Sequence, residues 1–181
     1  MKQIPHPKVN PYEQERKLTR WKYYDYACSG TYFVTICTHD RICFFGDIEN
    51  GKLEPSRQGC VAKVVMELFP KLSPNVEILT YEIMPDHLHI LLWIHNDAAD
   101  LRAFEQRDQE VIQSFTLHQK ETLSSFIASY KSAVSRFCHS LSLEMKWQTS
   151  YFDHVVRNVH EEEEIRKYIK ENPGKWETEH K

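Results

Sequence analysis

The sequence predicts an α+β domain built on an antiparallel sheet, and three observations predict it. Segments rich in β-branched and aromatic residues alternate with segments of helical periodicity, in the order strand, helix, strand, strand, helix, short strand, helix. The two central strands are separated by a Pro-Asp turn, which makes them an antiparallel hairpin. Each crossover helix is apolar along one side, as a helix lying on a sheet must be. Together these give the ferredoxin-like (RRM-like) plan, with helices on one face, an additional C-terminal helix, and the other sheet face open for a site.

The elements follow in order. Residues 1–30 are polar and contain prolines, and are expected to form an arm laid over a single domain spanning 31–176, with 177–181 as a tail. TYFVTICT (Thr31–Thr38) has strand composition, Ile42–Phe45 is expected to pair nearby, and Asn50-Gly51 marks a tight hairpin turn. Between Ser56 and Phe69, Val61, Val64, Val65, Leu68 and Phe69 recur at helical spacing, with Pro70 ending the run. VEILTYEIM (Val76–Met84) is the next strand, and HLHILLWI (His87–Ile94) returns beside it. Residues 97–119 are acidic and aperiodic, hence a loop or insertion.

Glu121–Leu141 is amphipathic, with Leu123, Phe126, Ile127, Tyr130, Val134, Phe137 and Leu141 on its apolar side. Tyr151–Val156 completes the sheet. The last helix opens at Asn158, a capping residue with Glu161 three positions on, and its acidic first turns suit the helix dipole. Glu162 with Arg166, and Glu163 with Lys167, stand at i,i+4 spacing. Because Pro173 disfavours helical geometry at Asn172, the helix is expected to stop there.

Composition narrows the functional classes. With 181 residues, 41% of them hydrophobic, the chain can bury a core of its own. No apolar run approaches the roughly 18 residues of a membrane span, and the N-terminus lacks a signal-peptide core, so a cytoplasmic protein without membrane association is expected. Five cysteines without a CxxC pair fit reduced thiols. Cys37, His39 and Cys43 have a spacing zinc would accept, but strand alternation already explains it. The net charge of −3 gives no global sign of nucleic acid. The arm, however, gathers Arg16, Lys17, Arg20 and Lys22, a basic stretch able to meet phosphates.

The stretch MPDHLHILLWI (Met84–Ile94) carries the chemistry. His87 and His89 are two apart on a strand, so they face the same way with Cα atoms about 7 Å apart. One histidine on a strand is ordinarily a satisfied core residue. Two on one face, among Leu, Ile and Trp, both need polar partners, and a shared cation satisfies both at once. On the last helix Tyr168 and Asn172 are four apart and share a side, and Asn172 offers an oxygen to a metal. Packing of Tyr168 with Ile165 and Ile169, and a capping role for Asn172, fit the same spacing.

These residues, with SYKSAVSRF, WQTSYFDHVVRN and a Tyr followed four residues later by Asn before Pro, resemble the REP-associated tyrosine transposases. Those are relatives of the single-tyrosine insertion-sequence transposases in the HUH nuclease superfamily, whose histidine triplet is matched by His87-Leu88-His89. The resemblance implies a metal-dependent endonuclease and strand-transferase acting on single-stranded or hairpin DNA. Tyr168 would be the nucleophile, and His87, His89 and Asn172 the ligands of Mg²⁺ or Mn²⁺, two imidazoles favouring Mn²⁺. A 5′-phosphotyrosine would be the intermediate, in a monomer or a homodimer.

Candidate DNA contacts are Arg16, Lys17, Arg20 and Lys22 in the arm, with Lys131, Arg136 and Arg157 nearer the proposed site. Trp21, Tyr23, Tyr24 and Tyr26 are candidates for base stacking or for packing the arm to the domain, and Asp153 and His154 for support of the site or of their own loop. The alternative is a catalytically silent, domesticated protein that binds DNA hairpins or RNA. Four retained site residues favour the enzyme.

Overall fold

A computed structural model describes residues 29–73, 75–95 and 122–180. Arg16, Lys17, Arg20 and Lys22, the arm aromatics and the acidic segment 97–119 lie outside these residues. Strands β1 (Gly30–Cys37), β4 (Val76–Ile83), β5 (His87–Ile94) and β6 (Phe152–Val156) form one sheet in the order β4-β5-β1-β6, while β2 (Gly46–Glu49) and β3 (Lys52–Pro55) form a separate hairpin. The β1–β5, β4–β5 and β1–β6 pairings are all antiparallel. This is the expected α+β, ferredoxin-like arrangement.

Helices α1 (Arg57–Leu72) and α2 (Leu123–Ser140) cover one sheet face. Alternate residues of the central strands, Tyr32, Val34 and Ile36 with Leu88, Ile90 and Leu92, are fully buried there among Met66, Phe69, Phe126 and Tyr130. Ser56 caps α1 by accepting from the Gly59 N–H at 3.0 Å, and Thr122 and Ser125 cap α2 reciprocally. The opposite face carries α3 (Val159–His180), whose Ile165 and Ile169 bury against Phe33 and Leu91. Among the described residues no helix is long and apolar enough to cross a membrane.

Four local expectations are corrected. Ile42–Phe45 forms no strand: Phe44 and Phe45 plug the core, and pairing starts only at Gly46. Gly46 has φ +133°, and a Cβ there would sit 2.1 Å from the Glu54 carbonyl oxygen, so the chain needs glycine to enter the hairpin. Helix α1 continues past Pro70 to Leu72, its last turn held by the burial of Val65, Met66 and Phe69 against the sheet.

The apolar stripes are also narrower than their patterns. Phe137 is 56% exposed and Leu141 47%, because burial on α2 follows the row through Val134 and Cys138 and leaves both beside it. Val64 and Leu68 of α1 are likewise half exposed. Finally, α3 does not stop at Asn172 but runs through Pro173 to His180, taking in residues 177–180 that were expected as a tail. A mid-helix proline costs about 3 kcal/mol in an isolated helix. Here the Pro173 ring is buried, so packing offsets the lost hydrogen bond.

Candidate functional site

The site lies on the sheet face beneath α3. Cross-strand pairing sets His87 beside Cys37 and His89 beside Thr35, one pleat from Leu91 and Phe33. Both imidazoles are buried, with relative exposures of 6% and 2%. Their inner nitrogens are taken by the protein: His87 Nδ1 meets Asp86 Oδ1 at 2.5 Å, and His89 Nδ1 meets Thr35 Oγ1 at 2.8 Å. Their Nε2 atoms consequently face one another, 3.1 Å apart.

Helix α3 brings the other two residues. Tyr168 stacks edge-on to His89, ring centroids 5.3 Å apart, and edge-on to Phe33 at 6.0 Å. Asn172, one turn later, places its amide 3.4 Å from His89 Nε2. Trp176, a turn further, lies against His87 with centroids 5.7 Å apart. The structure therefore brings His87, His89, Tyr168 and Asn172 together.

Burial, together with the positive charge of nearby Arg41, holds His89 well below the usual histidine range, so it is neutral at pH 7. Asp86 is buried, which works against ionisation, yet its hydrogen bond to His87 and the charge of Arg41 hold its carboxyl below the ordinary value. A carboxylate on Nδ1 fixes the tautomer whose Nε2 lone pair is free, the usual support of a metal-bound histidine.

The donor set fits a divalent cation. Adjacent ligands of an octahedral ion at about 2.1 Å lie about 3 Å apart, which the two Nε2 atoms match. Among the described residues no three His, Cys, Asp or Glu side chains gather around one point. Turned over, the Asn172 amide would present Oδ1 rather than Nδ2 to His89 Nε2. By the same observation Cys37, His39 and Cys43 do not form a zinc cluster.

The other candidates are placed elsewhere. Lys131 donates to the carbonyls of Gln148 at 2.8 Å and Ser150 at 3.3 Å, and burial lowers its pKa. It therefore supports the loop before β6. Arg136 is exposed on α2, which packs on the far side of the sheet, and Arg157 is exposed in the β6–α3 link. Asp153 pairs with Val34 and faces the α1/α2 side, whereas His154 pairs with Phe33 on the site's side. His154 Nε2 meets Glu161 Oε1 at 2.7 Å. Half of the expected capping box is present: Asn158 Oδ1 accepts from the Glu161 N–H, while the Glu161 carboxylate turns to the Arg157 N–H.

Sequence reading overlooked Thr35, Arg41 and Asp86 as parts of the site. Asp86 looked like a turn residue. Thr35 alternates with Phe33 on β1, the strand that pairs with the histidines.

No family profile matches the chain. An uncharacterized protein of Haemophilus influenzae is 30% identical over 177 residues, covering 94% of this chain and 94% of its own. The two belong to one family. Among solved structures, a REP-associated tyrosine transposase bound to a REP hairpin aligns at 18% identity over 86% of this chain and 74% of its own, with a TM-score of 0.54. The fold is shared with that protein. A Deinococcus radiodurans chain aligns at 18% identity over 85% of this chain and 96% of its own, with a TM-score of 0.42.

Proposed function

We propose that this chain, built on the fold of a REP-associated tyrosine transposase, is a transposase-like enzyme that cuts and rejoins single-stranded DNA at hairpins. Tyr168 is the nucleophile, and His87, His89 and the Asn172 amide oxygen hold Mg²⁺ or Mn²⁺. The observation that carries the reading is the pair of Nε2 atoms 3.1 Å apart with the Tyr168 ring packed against His89.

In the proposed step the phenolic oxygen of Tyr168 attacks the scissile phosphorus. A tyrosine–phosphorus ester forms, the bond to the 3′ oxygen breaks, the phenolic proton passes to solvent, and the departing oxygen takes up a proton. Attack by a 3′-hydroxyl on the 5′-phosphotyrosine then rejoins a strand. One ester replaces another throughout, so no nucleotide hydrolysis is needed.

A bound cation would polarise a non-bridging phosphate oxygen and offset the charge that develops there. The chain's own residues do the rest. Asp86 and Thr35 fix the imidazoles, and Phe33 holds the tyrosine ring edge-on. Lys175 Nζ lies 5.8 Å from the Tyr168 ring centroid, a cation over the face of the ring.

Labelled hairpin oligonucleotides with single-stranded flanks test the proposal on a denaturing gel. A covalent protein–DNA adduct is expected with Mn²⁺ or Mg²⁺ and not with EDTA. If Tyr168→Phe formed the adduct as readily as the native chain, the nucleophile would be wrong. Hairpin binding by the native chain without any adduct would favour the non-cutting, DNA-holding alternative.

A further inference from the structure

The β2–β3 hairpin stands apart from the main sheet, yet its tip touches the helix that carries Tyr168. Glu177 makes that contact. Its Oε2 accepts from the Gly51 N–H at 2.7 Å and its Oε1 from the Asn50 N–H at 3.2 Å. Asn50 and Gly51 have φ of +54° and +71°. Two successive left-handed residues turn their N–H groups to one side, and such a concavity binds an anionic group. In this chain the anion is a side chain of α3, five residues beyond Asn172.

The position matters because α3 is weakened just before it. Pro173 has no N–H to return to the Ile169 carbonyl, so the helical ladder is interrupted directly after Asn172. Upstream, the helix is fixed by Ile165 and Ile169 in the small apolar cluster and by Arg166, which donates to the Leu79 carbonyl at 3.1 Å. Downstream, the helix buries no residue beyond Pro173. The downstream turn is nonetheless the one that lays Trp176 against His87. Asn172 thus sits between a packed half and a half that depends on local contacts.

We infer that Glu177 is a positioning residue: its carboxylate, seated in the tip of the β2–β3 hairpin, latches the last turns of α3 so that Asn172 and Trp176 stay on the His87–His89 pair. The inference deepens the proposed function and rests on it for its catalytic consequence. The hairpin, which contributes nothing to the main sheet, then has a role as the brace of the site.

The test compares the native chain with Glu177→Gln, nearly the same size but uncharged, and Glu177→Ala. Two quantities are read: amide hydrogen exchange along α3 and β5, and the single-turnover rate of adduct formation together with hairpin affinity. Faster exchange is expected in 172–180 with β5 unchanged. The rate at saturating hairpin is expected to fall about tenfold, the scale on which a small misplacement of reacting groups acts, while hairpin affinity stays within about twofold. Exchange that does not change in the Gln variant overturns the latch. Accelerated exchange with an unchanged rate overturns the positioning role, and a fall in hairpin affinity alone would make Glu177 a DNA contact instead. A native chain that forms no adduct would count against the proposed function, while the exchange readout would still decide the latch.

Discussion

The two faces of the sheet are made by the same strands and have opposite chemistry. On the α1/α2 face, Tyr32, Val34, Ile36, Leu88, Ile90 and Leu92 point into a continuous apolar core. On the α3 face the alternate residues of the same strands are Phe33, Thr35, His87, His89 and Leu91, and the apolar cluster is reduced to Phe33 and Leu91 with Ile165 and Ile169. A strand buried on both sides can place a polar set on one face while the other carries the fold. Stability and chemistry are thereby separated by a single pleat.

The sharpest way to break this comparison is Tyr168→Phe. The ring contacts with Phe33 and His89 need no hydroxyl, so thermal unfolding should stay within about 1 kcal/mol of native. Adduct formation should fall by at least about a thousandfold, as when a nucleophile is removed. Mixing this variant with His87→Ala should not restore the adduct, because Tyr168 packs on His89 of its own chain. Efficient complementation would mean that the site is shared between copies.

His89→Ala comes next. Mn²⁺ binding, followed by electron paramagnetic resonance, should be lost along with the adduct, and Asp86→Asn should weaken it by about ten- to a hundredfold through the His87 ring. Unchanged Mn²⁺ binding in His89→Ala would remove the imidazole pair from the metal site.

The opposite face should answer in stability. Ile90→Ala is expected to cost about 2–5 kcal/mol in denaturant unfolding, because its cavity opens inside a closely packed core. Ile169→Ala should fall at the low end of that range, since its cluster is small and can relax. Equal losses would mean that α3 carries as much of the fold as α1 and α2. The smallest effect is expected from Asn158→Ala, about 1 kcal/mol for one lost cap.

Much of this was legible in the chain. Alternation in TYFVTIC and HLHILLWI specified strands, the Pro-Asp turn specified their hairpin, and the helical rows of α1 and α2 specified what covers them. The two histidines announced a shared face because a period of two allows no other outcome on a strand. Other features escaped for identifiable reasons. The end of α3 was misjudged because local propensity at Pro173 is strong, whereas the burial that overrides it is tertiary. Glu177 looked like part of a tail, since the hairpin N–H groups it meets lie 126 and 127 residues away in sequence.

What the sequence determined by itself was periodicity: which residues share a strand face, which share a helix side, and where glycine and proline turn the chain. Only the tertiary structure decided which α3 side chains meet the imidazoles, that Asp86 and Thr35 hold both rings with Nε2 toward Nε2, and that the last helix lies across the sheet face the other helices leave open. The physical reason is range. Backbone sterics and side-chain alternation act over a few residues and can be read locally. Burial, hydrogen-bond satisfaction and ring packing join residues far apart in the chain, and take their values only once it has folded.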